Sequence, residues 1–228
     1  MQLSDFDRRK QDSCKLLAEF ITRHKPDVIC IGTNGRTSES LFQIVDVVAK
    51  AKVEFKMAPP VFIDDEPARI YQHSKRALEE LPDQNSLVKL AIAVGRLAHD
   101  PLCEMANLVH DTKDFEQLGV HPLQDMLDIS ERMKIADECM VDAVNAFGVE
   151  INAACRSKHS SALLRYVSGL GPRKAKSIYD VVSASPQPIE FRTALVNQKL
   201  VGMTVYFSCA GFIRIDHGRL QTDIDYRT

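Results

Sequence analysis

The most informative part of the sequence reads Leu163-Leu-Arg-Tyr-Val-Ser-Gly-Leu-Gly-Pro-Arg-Lys-Ala-Lys-Ser-Ile178. A helical pattern of apolar residues runs into the Gly-Leu-Gly turn at 169–171, and Pro172 follows at a position typical of the first turn of a helix. Together with Ala175, where two helices could pack closely, this spacing predicts a helix–hairpin–helix motif. The alternative is a tight turn that only joins two packed helices.

A helix–hairpin–helix can bind the backbone of a nucleic acid. Glycines let the hairpin approach a phosphate closely, and the free N–H groups at the start of the second helix can bind that anion. The charge pattern supports this interpretation, because residues 151–179 contain six Lys or Arg and no Asp or Glu. The candidate phosphate-contacting residues are Gly169, Gly171, Arg173, Lys174 and Lys176, with Arg165 and Lys158 on the flank.

A second, weaker copy of the motif begins at Leu200-Val-Gly-Met-Thr. It has one hairpin glycine, Gly202, and no Lys or Arg directly after it. We therefore expect this copy to be mainly structural, with Phe207 and Phe212 in the core. Two tandem motifs, preceded by a long helical pattern at 131–147 that ends before Gly148, predict an all-α domain.

The first hundred residues have a different character. Short apolar runs at 27–32 and 60–64 are typical of strands, the first of them buried on both faces. Between them, Leu41, Ile44 and Val48 mark an amphipathic helix, so the order of elements predicts a β–α–β unit. The fold class expected for the whole chain is α+β, an α/β portion followed by an all-α tandem helix–hairpin–helix domain.

The polar, turn-prone segment at 111–119 suggests where these parts meet. We predict domains at 1–115 and 116–215 and a C-terminal tail at 216–228.

Composition excludes other classes of protein. The formal charge of −2 excludes a globally basic chain, and no apolar run approaches the roughly 20 residues that span a bilayer. The six cysteines are scattered, without metal-ligand spacing. We therefore expect no cofactor, no metal and no membrane association.

Several motifs resemble one known family. Tyr166–Lys174, Phe147–Asn152 and His121–Gln124 are similar to the core of the suppressor of Ty six family of eukaryotic transcription elongation factors, and of its bacterial relative Tex. Cys209–Ile215 resembles the end of the family's second hairpin. Leu90–Leu102 matches the stretch that follows its YqgF-type, ribonuclease-H-like domain. The resemblance covers about residues 25–215, with the motifs in the expected order.

The resemblance implies a nuclear elongation factor and histone chaperone that travels with RNA polymerase II. Its implied partners are the polymerase elongation complex and histones, besides a DNA or RNA backbone. The family's complete proteins carry further modules that this sequence does not show. The α/β portion contains fewer strands than a ribonuclease-H-like fold needs, so we expect a truncated YqgF-type domain.

Ribonuclease-H-like folds suggest nuclease activity, which requires several carboxylates around two metal ions. The only acidic cluster placed like a site is Asp64-Asp65-Glu66, after the second strand. It is equally typical of a solvated loop, and one cluster cannot build a two-metal centre. We therefore predict a non-catalytic protein. The alternatives are a resolvase-like nuclease and a protein-interaction scaffold that binds no nucleic acid.

Overall fold

The computed structural model describes residues 5–33, 45, 46 and 59–215. The chain divides into two compact units between His99 and Asp100. The described elements of the first unit are α1 (Asp5–His24), β1 (Cys30–Gly32), β2 (Val61–Ile63), α2 (Glu66–His73), α3 (Lys75–Glu80) and α4 (Ser86–His99).

β1 and β2 form a parallel ladder in which Ile31 pairs with Phe62. The two predicted strands are therefore present and pair in parallel, as a β–α–β unit requires. Most of the helix predicted between them lies outside the described residues. The prediction that the first run is buried on both faces holds only in part. Ile31 is buried and Cys30 and Gly32 are half-buried in β1, whereas Val28, before the strand, is 46% exposed. Within the described part of this unit, α4 packs against both strands, Cys30 and Ile63 lie against the helical core, and Val61 and Phe62 of β2 are exposed.

The core of the first unit lies between α2 and α4. Ala68, Tyr71, Ala77, Ala93 and Val94 are buried together there. The chain turns from α2 into α3 at a buried serine that caps α3 with its hydroxyl. These contacts make the helical part of the unit compact.

The second unit contains α5 (Pro101–His110), α6 (Thr112–Glu116), α7 (Ile129–Phe147), β3 (Val149–Glu150), α8 (Ile151–Ala154), α9 (Pro172–Ala184), α10 (Ala194–Asn197), α11 (Met203–Cys209) and β4 (Ile213–Arg214). Short 3-10 helices lie at Gln124–Met126, Ser160–Tyr166 and Ala210–Phe212. The boundary between the units precedes α5, since α5 packs against α7 and the second 3-10 helix. The predicted domain limits, 1–115 and 116–215, stay a prediction, and the tail at 216–228 lies outside the described residues.

The expectation that the second domain is all-α requires a correction. α7 ends at Phe147, and the C-cap residue Gly148 has a φ of 71° that lets the chain turn into β3. β3 then pairs in parallel with β4, so that Val149 lies beside Ile213. Strands of two residues are too short to produce a visible alternation in the sequence. The fold class is α+β, and both units contribute strands.

Candidate nucleic-acid interface

The predicted hairpin is present, and its backbone has the conformation that the glycines predict. Gly169 has a φ of 81°, which favours glycine, and Leu170 directs its side chain into the core. The Leu170 N–H donates to the carbonyl oxygen of Val167 at 2.9 Å. α9 then begins at Pro172, as predicted. The turn is therefore anchored on its inner side by a buried leucine.

A side chain on α7 fixes the entry to the hairpin. The Ser168 N–H donates to Asn145 Oδ1 at 3.0 Å, and Asn145 Nδ2 donates to Ser168 Oγ at 2.8 Å. Sequence reasoning missed Asn145, because nothing in the local pattern links a helical asparagine to a turn so far along the chain. The paired hydrogen bonds hold the residue before Gly169 in place.

The start of α9 is open. Gly171 is the N-cap residue and has no side chain with which to cap the first N–H groups, while its carbonyl accepts from the Ala175 N–H at 2.9 Å. The first-turn amides of an α-helix have no acceptor within the helix. A Cβ atom on Gly171 would meet no described atom within 4 Å, so the space beside this N-cap residue is open among the described residues. Ala175 and Ile178 are buried and hold the helix on the core.

Three exposed cations follow this open turn, namely Arg173, Lys174 and Lys176. Lys174 Nζ donates to the carbonyl oxygen of Gly169 at 3.2 Å. None of the three forms an ion pair with an acid of the described residues. Since no acid of the described part neutralises them, their charge is available to an anionic ligand.

The two flanking candidates differ from each other. Lys158 is exposed. Arg165 is half-buried, with its guanidinium 5.1 Å from the ring centroid of Tyr166 and in contact with Nδ1 of His110. Burial lowers the pKa of His110, and the charge of Arg165 lowers it further. Arg165 therefore makes contacts within the unit, whereas Lys158 projects into solvent.

The loop that carries Lys158 is tied to α5 by its neighbour His159. His159 Nε2 lies 3.2 Å from Oε1 of the buried Glu104, and Asn107 Nδ2 donates to the carbonyl oxygen of His159 at 3.0 Å. Neither Glu104 nor Asn107 was a candidate from the sequence, since both resemble ordinary polar residues of a helix. These contacts position the basic loop.

The second hairpin packs against the first. Gly202 is the N-cap residue of α11, and a Cβ atom on Gly169 would lie 2.7 Å from Cβ of Ser208. The predicted burial of the two aromatic residues is half wrong, because Phe207 is 76% exposed while Phe212 is half-buried. On α11 the buried side chain is that of Cys209, while Ser208 and the carbonyl oxygen of Val205 lie nearest to Gly169.

The acidic cluster of the first unit is not a solvated loop throughout. Asp65 is only 1% exposed, and its Oδ2 lies 3.3 Å from Nε of Arg69. Asp64 is exposed and accepts the Glu66 N–H at 3.1 Å. Within the described ranges, no group of three or more His, Cys, Asp and Glu side chains is placed to hold a metal ion.

No described helix combines the length and the apolar character that spanning a bilayer requires.

Comparison with family models gives two adjoining matches. Residues 1–109 match the model described as the Holliday-junction resolvase-like domain of SPT6, and residues 113–216 match a helix-hairpin-helix motif.

Curated relatives agree with these models. The chain is 32% identical over 223 residues to a transcription elongation factor SPT6-like protein of Arabidopsis thaliana, which covers 93% of this chain and 17% of the relative. It is 34% identical over 221 residues to transcription elongation factor SPT6 of Gibberella zeae, covering 87% and 15%. For SPT6 of Saccharomyces cerevisiae, identity is 31% over 203 residues, covering 87% and 14%.

The chain thus spans about one sixth of the length of these relatives. Two adjoining family models in the expected order, and relatives from a plant and two fungi, lead to the same assignment. Over nearly its whole length, the chain is therefore similar to the resolvase-like and helix–hairpin–helix region of the SPT6 transcription elongation factors.

Proposed function

We propose that this chain is a non-catalytic part of a nuclear transcription elongation factor and histone chaperone, and that it binds the backbone of DNA or RNA through its first hairpin. The observation that carries the proposal is the open N-terminus of α9 beside three exposed cations. Gly171 has no side chain to cap the first amides and has open space beside it, and Arg173, Lys174 and Lys176 follow it as exposed cations.

Backbone amides and cations recognise phosphates without reading bases. Binding should therefore be independent of sequence. Because few phosphates can be engaged by so small a surface, the affinity should be modest and should decrease as the salt concentration rises. Lys158 is the more accessible of the two flanking cations, since it is exposed and Arg165 is held against His110.

The resolvase-like region is proposed to be a ribonuclease-H-like domain without catalytic activity. Asp65, the most buried acid of the strand-end cluster, is already paired with Arg69. A two-metal nuclease needs several carboxylates that face an open site. Metal-dependent cleavage of branched or duplex DNA by the purified chain would establish the resolvase-like alternative instead.

The implied partners, RNA polymerase II and histones, and the nuclear location are proposed from the family alone, because the chain spans one sixth of its relatives. Two observations would distinguish the alternative, a protein-interaction scaffold, from a nucleic-acid-binding protein. A scaffold would retain elongation-complex proteins in a pull-down and would bind neither DNA nor RNA at low salt.

The hairpin is tested by charge reversal in the whole chain. The variant Arg173→Glu/Lys174→Glu should bind a labelled duplex about tenfold more weakly or worse at low salt in fluorescence anisotropy. The matched control is Lys113→Glu/Lys134→Glu, which changes the net charge equally through two other exposed lysines of the same unit. Equal affinities of the two double variants would remove the hairpin from the account.

A further inference from the structure

The helix of the second hairpin exposes an apolar face that the structure leaves unpacked within the described residues. Met203 is 57% exposed and Phe207 76% exposed, and they stand four residues apart on α11. Residues with this spacing lie on the same side of a helix. The ring of Phe207 makes an edge contact with that of Tyr206, with centroids 5.9 Å apart, while most of its surface is accessible.

This face lies next to the basic hairpin. The Ser208 side chain and the Val205 carbonyl oxygen of α11 lie next to Gly169, and the same glycine accepts a hydrogen bond from Lys174 at its carbonyl oxygen. Burial raises the pKa of Cys209, the last residue of α11, and the nearby charge of Lys174 opposes that rise. The exposed aromatic residue is therefore one residue away from the hairpin contact and on the same helix.

We propose that Phe207 is a stacking surface for an unpaired base, so that the interface binds single-stranded nucleic acid more tightly than duplex. This inference rests on the proposed function and specifies its ligand. Accessible aromatic rings beside a positively charged surface suit single strands, because every unpaired base offers a flat face while its phosphate needs a cation. In a duplex the bases are stacked on each other and cannot reach the ring.

Charge complementarity favours this occupant over a protein. The segment that forms the hairpin, 151–179, carries six basic residues and no acid. An apolar partner surface would have to place its rim against that uncompensated charge. A single strand instead supplies the phosphates and the apolar base faces together.

Two substitutions of Phe207 test whether binding depends on its aromatic ring or only on its apolar surface. Phe207→Leu keeps an apolar side chain, and Phe207→Trp keeps an aromatic one. We expect Phe207→Leu to bind an oligothymidylate or oligouridylate of about 16 nucleotides at least fivefold more weakly. Phe207→Trp should bind within twofold of the unmodified chain, and duplex affinity should stay the same for both. Because Phe207 is exposed, both variants should fold.

Phe147→Leu is the matched control, since Phe147 is 69% exposed on α7 in the same unit. The proposal is overturned if Phe207→Leu binds single strands as tightly as the unmodified chain, or if it loses single-strand and duplex affinity equally. In the first case duplex binding by the unmodified chain would leave the proposed function intact. If the unmodified chain binds neither form, the proposed function and this inference fail together.

Discussion

Gly169 of the first hairpin and Ser208 of the second hairpin's helix pack so closely that no side-chain carbon fits between them. The second hairpin therefore supports the turn that carries the candidate phosphate site. Since Asn145 holds the neighbouring Ser168 from another direction, the geometry of the turn depends on two distant elements.

Gly169→Ala should destabilise the chain by at least about 1–2 kcal/mol, because alanine is disfavoured at a positive φ, and its Cβ would also overlap Ser208. Gly171→Ala is the control, since that glycine has an extended conformation with open space around it. Urea denaturation followed by circular dichroism measures both. Equal stability of the two variants would contradict the observed packing.

Asn145→Ala should lower the free energy of unfolding by roughly 1–3 kcal/mol, because it leaves the Ser168 N–H without its acceptor. Asn197→Ala, at an exposed asparagine, should have little effect. The loosened hairpin should also bind phosphate less well. An Asn145→Ala chain with unchanged stability and unchanged affinity for nucleic acid would show that the turn needs no support from α7.

Stability should fall as the pH rises from 10 to 12, and Tyr71 should account for part of the loss. Burial, followed by its hydrogen bond to Glu80, raises the pKa of Tyr71 to about 12. The unfolded chain loses this proton near pH 10, so stabilisation is complete below pH 10 and is lost as the pH approaches 12. Urea denaturation of Tyr71→Phe should show a shallower decline than Tyr179→Phe; identical slopes would refute this assignment.

Millimolar Mn²⁺ or Mg²⁺ should not raise the melting temperature. A native metal site would stabilise the folded state by mass action, but Asp65 is paired with Arg69, and no described cluster is arranged to hold an ion. Differential scanning fluorimetry with and without the ions checks this. A rise in melting temperature that Asp65→Asn abolishes would support the resolvase-like alternative.

The features that the sequence predicted well have local signals. Gly169 and Pro172 specify the hairpin and the start of α9 within a few residues, and Gly148 marks the end of α7 in the same way. Features that depend on tertiary packing were missed. Asn145 acts across the fold, and no periodicity shows that Phe207 lies outside the core.

The positions of the exposed cations were predictable for the same reason, because Arg173, Lys174 and Lys176 follow the hairpin directly in the sequence. The surroundings of the other charged residues were not predictable. Arg165 looks like any other basic neighbour until the structure places it against His110. Asp65 likewise looks like a surface acid, yet Gly32 lies so close that a Cβ there would overlap its carboxylate. The contacts of Arg165 with His110 and of Asp65 with Gly32 join residues that are distant in the sequence, so no local pattern reveals them.

The most direct test of the central claim, that the cations after the first hairpin hold phosphates, is the salt dependence of binding. The logarithm of the duplex association constant should decrease linearly with the logarithm of salt concentration, by about 0.9 per phosphate neutralised. For Arg173→Gln/Lys176→Gln the slope should be smaller in magnitude by between about 1 and 2. An unchanged slope, with or without a change in affinity, would contradict the claim.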